Sequence, residues 1–82
     1  EAVLARLEAD EDDVEAQYLL GCALAAGGQW EPALECFLTV VQLDRGFRED
    51  AGRLAMLDVF EVLTNEHPLI NEYRSRLMML LF

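Results

Sequence analysis

Residues 14–44 read VEAQYLLGCALAAGGQWEPALECFLTVVQLD and form two apolar segments around the glycine pair Gly27 and Gly28. The first segment is apolar nearly all round, which is typical of a helix covered on more than one side. Glycine tolerates the left-handed backbone at a helix carboxyl terminus, so the pair predicts where the first helix ends. Pro32 suits the first turn of a second helix. The stretch therefore predicts a hairpin of two antiparallel helices.

Glycine within the first segment and polar residues within the second indicate how the helices pack. Glycine at position 21 weakens the helix by up to about 1 kcal/mol, so a packing reason for it is expected. Because glycine has no side chain, we expect another helix to approach closely there. Four polar residues of the second segment share one helix face and predict a single wet edge; they are Glu31, Glu35, Thr39 and Gln42.

Part of this hairpin recurs upstream. Shifted by 34 positions, residues 7–10 (LEAD) align with residues 41–44 (VQLD), and 34 residues is the length of the tetratricopeptide helix-turn-helix repeat. We therefore interpret residues 1–9 as the end helix of a preceding repeat. Because that helix is already under way at Glu1, we expect a domain taken from a longer protein.

The hairpin resembles a tetratricopeptide repeat in its motif as well as its length, since Leu20-Gly21, Ala33 and Phe37 fall at the pattern's positions. The departures are Gln17 for the first aromatic, Leu24 for the tyrosine and Arg45 for the terminal proline. The resemblance implies an all-α fold, a tetratricopeptide-like right-handed stack of antiparallel helix pairs with about five helices. Residues 1–82 would form one domain, with 14–44 as its central hairpin.

The acidic linker before residue 14 predicts a helix cap. Asp12 or Asp13 can accept a hydrogen bond from a free amide of the first turn and favours the positive end of the helix dipole. A calcium loop would need alternating ligands, a central glycine and a distal glutamate, and that pattern is absent from the sequence.

A helix pair over residues 48–81 is predicted next. Its first helix runs from Arg48 or Glu49 to Leu63, with an apolar stripe, a flank of Ala55 and Val62, and a surface pair between Glu49 and Arg53. The stripe comprises Met56, Val59, Phe60 and Leu63.

The final helix is predicted from Pro68 to Leu81, after a short connection over residues 64–67. We expect His67 to be a cap or loop residue, since no second His or Cys accompanies it as a ligand.

The charge distribution excludes some partners. Residues 1–44 carry ten acidic residues and one arginine, net −9, whereas residues 45–82 carry six and five, net −1. Nucleic acid is disfavoured because its phosphates would be repelled. No apolar run approaches bilayer length, so no membrane association is expected. We expect a cytoplasmic location.

The inventory of reactive groups disfavours catalysis. With one His, no Lys and no Gly-rich phosphate loop, we predict no enzyme activity, no cofactor and no metal site. Cys22 and Cys36 are expected to be buried or half-buried free thiols of a reducing cytosol that label slowly. A disulfide or redox-sensing role is the alternative.

Two surfaces are candidates for protein contacts. Stacked helix pairs expose a concave face lined by the first helix of each pair. By register, Glu15, Tyr18, Cys22 and Ala25 or Ala26 would face that groove. The second surface is the apolar cluster at the chain end, Met78, Met79 and Phe82, which either docks a partner or packs against a neighbouring helix.

Beyond Asp44 a more specific resemblance appears. Its most specific parts are the Leu57-Asp58 pair and the segment Pro68-Leu69-x-x-x-Tyr73-Arg74-x-x-Leu77, within a pattern that also includes Asp44-x-x-Phe47, Arg53, Met56, Phe60, Leu63 and Leu81-Phe82. This pattern resembles the carboxy-terminal repeat region of the thioredoxin-like co-chaperones called YbbN or CnoX, the chaperedoxins.

The resemblance implies a protein-protein interaction module of a thioredoxin-like co-chaperone or holdase. It would bind unfolded clients, chaperonin and DnaK-type chaperones, and an amino-terminal thioredoxin-like domain would precede it. A generic tetratricopeptide scaffold of an unrelated assembly is the alternative. Self-association of the isolated chain is left open.

Overall fold

In the computed structural model, which describes residues 2–63 and 67–81, the chain forms five helices and, within those ranges, no strand. The shortest dimension of the molecule is 18 Å, about the thickness of two packed helices. The molecule is therefore a two-layer helical stack. The helices are α1 (Ala2–Ala9), α2 (Val14–Ala26), α3 (Trp30–Leu43), α4 (Ala51–Leu63) and α5 (Pro68–Leu81).

Helix α3 is the centre of the fold, because it packs against α2, α4 and α5. Its buried residues are Ala33, Leu34, Cys36, Phe37, Leu38, Val40 and Val41. The predicted wet edge is confirmed, since Glu31, Glu35 and Gln42 are exposed and Thr39 is half-buried. Away from its two ends, the helix thus keeps one polar edge and is otherwise covered.

Two glycines let the neighbouring helices approach α3 closely. A Cβ atom on Gly21 of α2 would lie 2.6 Å from Cε1 of Phe37, far inside van der Waals contact. A Cβ atom on Gly52 of α4 would lie 2.9 Å from Val40 and 3.1 Å from Val41. The expected packing role of Gly21 is confirmed, and Gly52 repeats it one helix further on.

The start of α2 is capped by Asp13. Its Oδ1 accepts a hydrogen bond from the Ala16 amide at 3.1 Å, so of the two predicted caps Asp13 is the one used. The Arg6 guanidinium of α1 donates two hydrogen bonds of 3.0 Å to the same carboxylate. This guanidinium lowers the pKa of Asp13, and the cap therefore also ties α1 to α2.

The end of α2 is a Schellman motif built on the glycine pair. The Gly28 amide donates to the Ala25 carbonyl at 3.0 Å, and the Gln29 amide donates to the Leu24 carbonyl at 2.9 Å. Gly28 has a φ of 77°, the left-handed conformation that this motif requires. The predicted glycine stop of the first helix is confirmed.

The connection between α3 and α4 corrects the predicted start of the fourth helix. Arg48, Glu49 and Asp50 have φ values of 47°, 58° and 69°, so the right-handed helix begins only at Ala51. The predicted pair between Glu49 and Arg53 is also wrong. Arg53 instead contacts Asp50, at 3.4 Å, because the left-handed turn breaks the helical spacing on which that pair depended.

The last two helices complete the core, and the predicted stripe of α4 is confirmed. The stripe of α4 is buried, and so are Ile70, Tyr73 and Leu77 of α5. Nδ1 of His67 accepts a hydrogen bond from the Leu69 amide at 3.2 Å, which confirms its role as a cap. Of the predicted connection over residues 64–67, residues 64–66 lie outside the described part of the chain.

Candidate functional site

A groove separates α2 from α4, because both helices pack against α3 without packing closely against each other. This α2–α4 groove is open to solvent and has a volume of about 290 Å³. It is lined by Tyr18, Cys22, Ala25, Phe37, Ala55, Asp58, Val59 and Val62. The surface is concave, mostly apolar and bordered by two helices.

Each wall of the groove follows helical spacing. The α2 wall presents Tyr18 with residues four and seven positions later, and Phe37 of α3 lies between the walls. The α4 wall has the i, i+3, i+4, i+7 pattern; its members are Ala55, Asp58, Val59 and Val62. The sequence analysis placed Ala55 and Val62 on a flank of the apolar stripe and did not group Asp58 with them. The i, i+3, i+4, i+7 spacing was the signal that could have identified this wall.

The residues predicted for the concave face divide into two groups. Tyr18, Cys22 and Ala25 line the groove. Ala26 is exposed outside it, since it is turned about 100° from Ala25 around the helix axis. Glu15 is also absent from the lining and forms salt bridges instead. That these concave-face residues contact a partner stays a prediction.

A cluster of rings and charges surrounds Tyr18, one of the residues that line the groove. The Tyr18 ring lies 5.9 Å from the Phe37 ring and 5.7 Å from the Phe47 ring, measured between centroids. The Arg48 guanidinium lies over Tyr18, 5.6 Å from the centroid, and donates a 2.7 Å hydrogen bond to Glu15 of α2. The left-handed turn before α4 thus brings an arginine back to α2.

The Tyr18 hydroxyl and Asp58 are the main polar groups of the groove. Burial raises the pKa of Tyr18, and the neighbouring Cys22 thiol raises it further. The hydroxyl therefore stays protonated at neutral pH and can donate a hydrogen bond. Asp58 is exposed, and no salt bridge to it occurs within residues 2–63 and 67–81.

The two cysteines are free thiols in different surroundings. Cys36 is buried in α3, and burial raises the pKa of its thiol, as does the nearby Glu35 carboxylate. Cys22 is exposed, so the expectation that both thiols are buried or half-buried is wrong for this residue. The reason is that α4 does not close over α2, which leaves Cys22 on the groove wall. In the described part of the chain, no three His, Cys, Asp or Glu side chains cluster so as to hold a metal.

A second hollow lies at the other side of α3, against α5. It has a volume of about 240 Å³ and is lined by Leu38, Gln42, Arg76, Met79 and Leu80. Met79 and Met78 are 79 % and 52 % exposed, so both face away from the core. Met79 borders the hollow whereas Met78 does not, and Phe82, the third residue predicted for this surface, lies outside the described residues.

A polar contact fixes α5 beside this hollow. The Tyr73 hydroxyl donates a 2.6 Å hydrogen bond to Oε2 of Glu35, and Arg76 donates one of 2.5 Å to the same oxygen. The Arg76 guanidinium and the Tyr73 hydroxyl lower the pKa of Glu35. Burial and the Glu35 carboxylate raise the pKa of Tyr73, so the phenol remains a donor.

Paired helices with a concave apolar face define a helical-repeat protein of the interaction class. The sequence model of the tetratricopeptide-repeat family matches residues 1–82, and the chain belongs to that family. The predicted all-α, tetratricopeptide-like fold is thereby confirmed. No curated protein and no solved structure matches the chain.

Family membership sets the general class of work. Tetratricopeptide domains generally mediate contacts between proteins and are typically non-catalytic. Among residues 2–63 and 67–81, no helix combines the length and the apolar character needed to cross a membrane.

Proposed function

We propose that this chain is the protein-interaction module of a thioredoxin-like co-chaperone or holdase, and that the α2–α4 groove binds segments of unfolded client proteins. The groove carries the proposal, because it places an apolar concavity on the surface of a domain whose core is already complete. Unfolded chains expose the apolar side chains that such a surface can cover.

The exposure of the groove wall supports binding rather than simple packing. Val62 lines the groove and is 60 % exposed, so its apolar surface remains in contact with water in the free chain. Burial of such surface is favourable by roughly 25 cal/mol per Å². A client segment that covers Val62 and the Tyr18 ring would supply this burial.

The chain end is proposed as the docking surface for the chaperone partner, a chaperonin or a DnaK-type chaperone. Met78 and Met79 are exposed, and methionine adapts to partners of different shape. The choice of partner rests on the resemblance of residues 44–82 to the chaperedoxins, and so does the proposed work in the cytoplasm.

Client binding is tested by the aggregation of chemically unfolded citrate synthase, followed by light scattering. We expect the chain to suppress aggregation and Val62→Glu to weaken the suppression, because the new carboxylate places a charge in the apolar groove. Leu54→Glu is the matched control, since Leu54 is 47 % exposed on the same helix and does not line the groove.

Equal suppression by the wild type and Val62→Glu would contradict client binding in the groove. A chain that suppresses no aggregation but still binds peptides through the groove would support the generic scaffold in place of the holdase. Circular dichroism of each variant checks that the helices are retained.

Docking is tested with purified chaperonin and the immobilised chain. We expect the double variant Met78→Ser, Met79→Ser to retain less chaperonin than the wild type, because it removes the exposed apolar surface at the chain end. Leu54→Ser is the control for loss of an exposed apolar side chain elsewhere. Unchanged retention in the double variant would refute docking at this surface.

A further inference from the structure

The chemistry of the α2–α4 groove discriminates between an extended and a helical occupant. Among the lining residues that the structure describes, polar groups are limited to the Tyr18 hydroxyl, the Cys22 thiol and the Asp58 carboxylate, and none is a side-chain amide. An extended segment pressed into the groove would leave backbone N–H and C=O groups without partners, and each such buried group is costly. A helix pairs these groups internally, so it can enter an apolar groove without that cost.

The charge in the groove specifies one side chain of the occupant. Within the described part of the groove lining, Asp58 is the charged residue. Arg48, whose guanidinium lies over the Tyr18 ring, is already bound by Glu15 at 2.7 Å. An occupant that covers the groove removes water from Asp58, and a desolvated carboxylate without a partner is strongly unfavourable. The occupant must therefore bring its own cation.

We infer that the occupant of the α2–α4 groove is an amphipathic helix, formed by a segment of the client protein, that carries a Lys or Arg positioned to pair with Asp58. This inference rests on the proposed function, since it specifies what the interaction groove accepts. The apolar face of the helix packs between the two walls and above Phe37. Its cation lies on the α4 side, where Asp58 stands between Ala55 and Val59 in the lining.

The overall charge of the chain favours the same partner. Residues 1–44, which include the whole α2 wall, have a net charge of −9. A field of this sign attracts a basic helix and repels an acidic one, and salt screens the effect. We therefore expect the association rate with a basic helix to fall as the salt concentration rises.

The experiment selects binders from a displayed library of helix-forming peptides and measures their affinities by calorimetry. We expect the enriched peptides to carry Lys or Arg beside an apolar stripe and to gain helical circular dichroism on binding. Their affinity for Asp58→Arg should be lower by about 30-fold or more, the cost of breaking a desolvated charge pair.

Glu61→Arg is the matched control. Glu61 is an exposed carboxylate of α4 outside the groove lining, and its substitution changes the net charge of the chain by the same amount. We expect an affinity loss of less than about fivefold for this variant, as for other exposed charges. Selection on Asp58→Arg should in turn enrich peptides with Asp or Glu in place of the cation.

The outcomes separate this inference from the proposed function. One outcome is that the peptides bind without a basic residue, or without becoming helical, and that Val62→Glu abolishes this binding. It would overturn the inference and leave the groove as a binding site. Binding that Val62→Glu leaves unchanged, or a selection that yields no binders, would overturn both the inference and the proposed function. A dimer of the chain alone that Val62→Glu dissociates would identify a second copy as the occupant and refute the inference.

Discussion

Gly21→Ala tests the close approach of α2 and α3 on which the hairpin depends. The new methyl group would lie 2.6 Å from Cε1 and 2.9 Å from Cδ1 of Phe37, whose side chain is buried in the core cluster. Such overpacking costs about 1–3 kcal/mol. Alanine in place of glycine within a helix contributes up to about 1 kcal/mol in the opposite direction. We therefore expect a net loss of about 0–3 kcal/mol in the free energy of unfolding.

The sign of the effect should reverse when the ring is removed. In a Phe37→Leu background the clash with the ring atoms is absent, so Gly21→Ala should stabilise the chain by up to about 1 kcal/mol. The double-mutant cycle then gives a coupling of about 1–3 kcal/mol between the two positions. Urea unfolding followed by circular dichroism measures all four free energies.

Gly46→Ala is the control, because a Cβ atom added to Gly46 would meet nothing within 4 Å and the residue has no positive φ. We expect its effect to remain within about 0.5 kcal/mol. Additive effects of Gly21→Ala and Phe37→Leu, or a Gly21→Ala variant that is more stable than the wild type, would refute the proposed packing of Gly21 against the ring.

Three further predictions concern separate parts of the fold. The partners of Glu35 lower the pKa of its carboxyl group. The difference in the free energy of unfolding between the wild type and Glu35→Gln should therefore be constant above the ordinary pKa of 4.5 and diminish as the pH falls below it. An unchanged difference at lower pH in urea titrations would contradict this. Cys22 should label with a thiol reagent faster than Cys36 in single-cysteine variants, since only Cys36 is buried, and equal rates would contradict the burial. Glu49→Gly should be more stable than Glu49→Ala by about 1 kcal/mol in the same unfolding assay, because glycine accepts the left-handed backbone; equal stability would argue against that conformation.

Most of the fold could be predicted from local sequence rules. The glycine pair, the acidic cap and the apolar periodicity of residues 14–44 each act over one or two helical turns, and the structure shows the helix ends that they predict. Pro68 and the apolar stripe of α4 are of the same kind. Such signals depend on neighbours within the same helix, which a sequence displays directly.

The features that sequence reasoning missed depend on distant contacts. The left-handed turn over residues 48–50 contains no glycine that would predict it. The Arg48 side chain contacts Glu15 and Tyr18 of α2, which are distant in the sequence. The exposure of Cys22 and the role of Asp58 likewise follow from the gap between α2 and α4, which no single helix encodes. Only the spacing of the α4 wall was visible in advance.

Binding of unfolded clients in the α2–α4 groove is observed most directly by a two-dimensional amide NMR titration of the chain with a permanently unfolded basic protein, reduced and carboxamidomethylated ribonuclease A. We expect the largest shifts at the groove residues Tyr18, Cys22, Ala55 and Val62, with little change at Leu54 outside the groove lining. Shifts that are absent at saturating client, or that are confined to residues outside the α2–α4 groove, would contradict client binding there.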